Sequence, residues 1–136
     1  MKNVISKYAQ LVAVTLMIAA PASVLAQDQL PATKEVAVSV SDVYVPGGFD
    51  SDADAFVVAN GMFPNGCYRW KGADVTNIDA LNHEIRSTAT VSQGMCIMVL
   101  VPFTKEIRLG KLSSGNHTLR FLNGDGTYLE KTLSVE

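Results

Sequence analysis

Asp50, Asp52 and Asp54 form a D-x-D-x-D run, and hard cations such as Ca2+ favour that density of carboxylate oxygens. An EF-hand loop would place a glycine after the third acid and a bidentate glutamate at its twelfth position. Here Ala55 and Gly61 occupy those places. The expected cofactor is therefore none, with Ca2+ as the one candidate at Asp50, Asp52 and Asp54, against the plainer reading of a solvated acidic loop. His83 and His117 are the only side chains whose ordinary titration lies near neutrality. Histidine catalysis requires a nucleophile or a carboxylate held beside the ring. Glu84 follows His83, but adjacent strand residues point to opposite faces. His117 shares parity with Leu119 and Phe121, which suits a corner or core role. No serine lies in a G-x-S-x-G elbow, and the chain has neither a phosphate loop nor a dinucleotide fingerprint. No catalytic residues are expected, and the chain is read as a non-enzyme.

Cys67 and Cys96 are the only cysteines. An even pair in an exported chain is expected to form a disulfide. Two free buried thiols or half a metal site are the other readings, and His83 and His117 show no metal-ligand spacing relative to this pair. Between the acids and Trp70, the residues Met62, Phe63, Tyr68 and Trp70 place large apolar side chains around the turn Pro64-Asn65-Gly66. Such residues are favoured interface anchors. Trp70 stands where a sandwich commonly buries a tryptophan against its disulfide, so core packing is expected for it. Phe63 and Tyr68 are the expected exposed pair.

The N-terminus sets the compartment. Lys2 and Lys7 precede the apolar run Leu11–Ala20, Pro21 breaks it, and Val24-Leu25-Ala26 offers a cleavage site before Gln27. This is the pattern of a secretory signal peptide over residues 1–26. Ten apolar residues fall short of the roughly 20 that span a bilayer, so no membrane span is expected after cleavage. The protein is expected in the periplasm or secreted medium. Residues 1–26 hold two lysines and no acid, so their removal moves the formal charge from −2 to −4. Basic residues are scattered without a run of three, which argues against nucleic acid as a partner. Another protein or an envelope component is the expected partner.

Beyond a short leader over 27–34, residues 35–136 read as one domain of two-residue periodicity. Val36, Val38 and Val40 share one parity and Val43 and Val45 the other, which predicts a bulge near Ser41-Asp42. Strands are expected over about 54–63, from Cys67 to Trp70 and over 84–91. Met95–Val101 is continuously apolar and reads as a central, doubly covered strand, with Phe103, Ile107 and Leu109 as its neighbour. His117–Phe121 and Leu129–Val135 flank the turn Asn123-Gly124-Asp125-Gly126. Residues 72–82 read as a loop with a helical turn near Ile78–Leu81. About seven short strands with one bridge predict an all-β, immunoglobulin-like β-sandwich. The loops at 46–54, 62–66 and 72–82 are the candidate binding loops.

Gly61-Met62-Phe63-Pro64-Asn65-Gly66-Cys67 resembles the G-x-L-P-(D/N)-x-C element of small exported bacterial immunoglobulin-like sandwich domains of uncertain function. Cys96, Leu100-Val101-Pro102-Phe103 and Ile107–Gly115 are similar to their C-x-x-x-L-V-P-F … V-x-L-x-x-L-x-x-G-x-Y-x-V stretch. The resemblance covers roughly 54–122. It implies a disulfide-tied sandwich and no activity. His117 stands where that pattern has a tyrosine, a residue that anchors a sandwich corner by bonding upstream backbone. Together these readings predict an exported, non-catalytic interaction module. A small protease-inhibitor-like domain and a calcium-stabilised structural domain of an envelope assembly are the alternatives.

Overall fold

Eight β-strands arranged in two sheets account for nearly all the regular structure of the computed structural model. It describes residues 32–136 and, before them, Ala19 alone; otherwise the segments read as signal peptide and leader up to residue 31 lie outside the described residues. The strands are β1 (Thr33–Val38), β2 (Asp42–Tyr44), β3 (Asp54–Phe63), β4 (Tyr68–Asn77), β5 (Asn82–Ser92), β6 (Val101–Lys111), β7 (Gly115–Leu122) and β8 (Tyr128–Val135). The fold is an all-β sandwich with one disulfide, Cys67–Cys96, whose Cα atoms are 5.3 Å apart. The described residues form eight strands where the sequence suggested about seven.

β5 organises the larger sheet. One of its edges carries antiparallel β4. Its other edge is shared, with β1 antiparallel along Ser87–Ser92 and β7 parallel along Asn82–Arg86. β8 closes that side against β7. The smaller sheet runs β2-β3-β6. Alternation produces the core, as successive side chains point to opposite faces of a strand. Ile85, Leu119, Phe121 and Leu133 of the larger sheet are wholly buried, and so are Val57 and Ala59 of the smaller one, with Val43 and Ile107 nearly so. Burying each large aliphatic or aromatic side chain contributes about 1.5–3 kcal/mol.

Three expectations are corrected. The parity change between Val40 and Val43 is not a bulge within one strand. The chain crosses there from β1 in the larger sheet to β2 in the smaller, so both parities face the same core. Residues 72–77 are not loop; they continue β4, and only 78–81 turns. β4 is an edge strand with half-exposed faces, so its polar composition concealed it. Finally, Met95–Leu100 is not a central strand. Residues 93–100 form a connection between the sheets, and β6, which follows, is an edge. Pro102 fits that edge, where a missing N–H leaves no ladder partner wanting.

Candidate functional site

The connection from β5 to β6 carries its apolar side chains outward. Met95, Ile97, Met98, Val99 and Leu100 are 105, 72, 79, 54 and 65% exposed, although solvent-exposed apolar residues normally occur singly. Three restraints hold the segment at one end of the sandwich. Cys96 is bonded to Cys67 at the start of β4. The Gly66 N–H donates to the Ile97 carbonyl at 2.9 Å, and the Gln93 N–H to the Ala32 carbonyl at 3.0 Å. At the same end, β3 enters the turn Pro64-Asn65-Gly66, where the Asn65 side chain accepts from the Cys67 N–H at 2.9 Å. Met62, 55% exposed, pairs across the ladder with Pro102, just past the loop. The loop thus forms an apolar end-cap on a disulfide-braced scaffold, with exposed Met62 on the neighbouring strand β3.

The aromatic residues beneath it divide differently from the expectation. Phe63, expected outside, is buried at 5% exposure. It stacks on Phe103 at 4.6 Å and on half-buried Tyr68 at 5.7 Å, and Trp70 lies 5.4 Å from Phe103. Turn proximity suggested exposure, but Phe63 is the last residue of β3 and its parity points inward with Val57 and Ala59. Trp70 is half-buried and packs against both core clusters. Gly61 makes this column possible: a Cβ there would overlap Phe103 Cζ.

The histidines meet, contrary to any role for each alone. His83 Nε2 and His117 Nδ1 are 2.8 Å apart, and both residues are buried. The parallel β5–β7 ladder makes the meeting, since it sets Asn82 opposite Thr118 and His83 opposite Leu119. His117 Nε2 lies 2.6 Å from the Ser113 carbonyl and must donate to it. Its Nδ1 then accepts from His83 Nε2–H. His83 Nδ1 lies 2.6 Å from Oδ1, the oxygen of the Asn77 side-chain amide. That amide donates through nitrogen to a neutral ring and accepts through oxygen from a cationic one, the two states differing by a half-turn. Burial and then the adjacent His117 ring lower the His83 pKa from its ordinary 6.5, while Asp79 opposes them. His117 thus performs the upstream backbone bond of a corner tyrosine. His83 borders a polar cleft of about 280 Å3 with Asp79, Asn82, Glu84, Thr118 and Arg120. All four ring nitrogens already have protein partners, whereas a general base presents a nitrogen to its substrate.

The acidic run is a turn. Asp50 Oδ1 accepts from the backbone N–H groups of Asp52 at 3.0 Å and Ala53 at 2.9 Å, and Asp54 begins β3. Among the described residues, no group of three His, Cys, Asp or Glu side chains is placed to hold a metal ion.

A protein-family model, described as the ORF11 beta-sandwich domain, matches residues 57–135, from within β3 to the last residue of β8. The chain belongs to the ORF11 beta-sandwich domain family. No curated protein and no solved structure matches it. The family match contains the disulfide, the exposed loop and the paired histidines of this ORF11 beta-sandwich domain.

Proposed function

We propose that this protein is an exported, non-catalytic interaction module that docks a partner protein through the apolar end-cap formed by Met95–Leu100, with Met62 on the neighbouring strand. The carrying observation is the outward apolar loop braced by Cys67–Cys96. A bridge that holds greasy side chains in water at fixed positions cuts the ordering cost of binding. Met62, Met95 and Met98 supply polarizable side chains that adapt to a partner's contours. A membrane is the less suited partner. No Lys or Arg lies between residues 87 and 104, and the loop holds no Trp or Tyr, whereas interfacial membrane elements are rich in both kinds of anchor. Export rests on the signal-like N-terminus and the disulfide. Among the described residues, no helix is long and apolar enough to cross a membrane.

The test places a photo-crosslinking residue at position 97 of the oxidised protein in its native fractions. A single adduct competed away by unlabelled protein, and lost in Met98→Ser/Leu100→Ser with an unchanged melting temperature, supports the docking surface. Absence of a competable adduct, or lipid vesicle binding that the same double variant abolishes, overturns it.

A further inference from the structure

A second surface lies on the side of the sandwich where β4 and β6 come closest. Among the described residues, β4 is bonded only to β5 and β6 only to β3, so each carries a free edge. Between them lies an open cleft of about 470 Å3, lined by Phe63, Arg69, Trp70 and the start of β6, Pro102–Lys105. The floor is aromatic and the rim is cationic.

Lys105 is out of pattern. Phe103 and Ile107, two residues to either side and hence on the same face, are buried, whereas Lys105 is exposed. Five other cations are in ion pairs: Lys71 with Glu35, Arg86 with Glu84, Arg108 with Glu106, Arg120 with Glu130 and Lys131 with Asp42. Arg69 and Lys105, like Lys34 and Lys111, have no such partner among the described residues. An inward charge on an edge strand protects against indiscriminate pairing. It also selects. β6 carries Lys105, Arg108 and Lys111 against Glu106 alone, so the same edge of a second copy meets like charge, whereas an acidic strand meets opposite charge.

We propose that the free edge of β6 and the cleft beside it bind an extended acidic segment of a partner protein, which joins the β2-β3-β6 sheet as a fourth strand. Backbone bonds to β6 at alternate residues from Thr104 onward supply affinity, since Pro102 has no N–H to offer. Alternate side chains of the segment then enter the cleft, carboxylates reaching Lys105 and Arg69 and apolar groups covering Trp70 and Phe103. The proposal rests on the interaction-module reading and deepens it, but it does not require the Met95–Leu100 loop.

Trp70 is the only tryptophan in the chain and lines the cleft, so its fluorescence reports occupancy. The oxidised full domain is titrated with a blocked heptapeptide, Glu-Thr-Val-Thr-Glu-Thr-Val, one face of which carries both glutamate and valine, and with the counterpart that has lysine in place of glutamate. Only the acidic peptide is expected to give a saturable change, weakened by added salt and about tenfold by Lys105→Glu. Lys105→Gln and Arg69→Gln, both at exposed positions, are expected to weaken it less while leaving the melting temperature unchanged. Ile97→Ser is expected to leave it unaltered. Equal responses to both peptides, no saturable response at millimolar peptide, or undiminished affinity in Lys105→Glu overturns the proposal. So does equal loss of binding in Ile97→Ser, which would place the peptide on the loop. Failure of the loop crosslink with a positive Trp70 titration removes the end-cap reading alone.

Discussion

Replacing both bridge residues, as Cys67→Ala/Cys96→Ser, should cost this domain about 3 kcal/mol. The bridge spans 29 residues of sequence, and closing a loop of that length removes about 3.6 kcal/mol of chain entropy from the unfolded state at 25 °C. Against this stands whatever freedom the folded state regains. That offset is small, because the ladder still holds the segment ends: Tyr68 pairs with Val91, and the Ser92 N–H donates to the Cys67 carbonyl at 3.0 Å. Only the loop beyond Ser92 is loosened, and its bonds to Ala32 and Gly66 remain. For a domain of this size the loss corresponds to a fall in melting temperature of roughly 15 °C. Urea unfolding followed by Trp70 fluorescence and by far-UV circular dichroism measures it, and the m-value should rise as the uncrosslinked chain expands. A double variant within about 1 kcal/mol of the parent, with the same m-value, would refute the reasoning and mean that the bridge serves only to fix the exposed loop.

Gly61→Ala drives a methyl group into the Phe103 ring and should destabilise the domain by about 1–3 kcal/mol; Gly61→Ala/Phe103→Leu should recover part of the loss in denaturant melts. Ser87, 2% exposed, has a hydroxyl without a hydrogen-bond partner among the described residues, so Ser87→Ala should raise stability by about 1 kcal/mol. The lowered His83 pKa makes the native state the poorer proton binder. Its contribution is therefore complete above the unfolded value near 6.5 and is lost as pH falls from there through the native value. Urea midpoints at successive pH values should show this loss, no steeper than about 1.4 kcal/mol per pH unit for one proton, and His83→Gln should flatten it.

Local alternation was enough to recognise the strands whose two faces see different surroundings. β3 runs from Asp54 to Phe63 as its periodicity requires, and β5 alternates about Ile85, Ser87 and Ala89. The turn at Asn123–Gly126 and the pairing of two cysteines were equally legible, because φ > 0 and the chemistry of an isolated thiol pair are local or compositional properties. β4 beyond Trp70 was not, since an edge strand has no strongly apolar face. Nor was the bond between His83 and His117, which lie 34 residues apart in sequence and are brought together by a parallel ladder that no local pattern encodes.

Side-chain period and backbone preference within a few residues set the all-β class and most of the turns, and the isolated cysteine pair set the staple. Tertiary structure alone decided which apolar residues stay outside. Met95–Leu100 is as hydrophobic as a buried strand, and Phe63 sits beside a turn like an exposed residue. Yet the bridge to Cys67 holds the former at the rim between two sheets, and the Phe103 ring over Gly61 draws the latter into the core. Burial depends on what faces a side chain across the fold, and those partners come from distant strands.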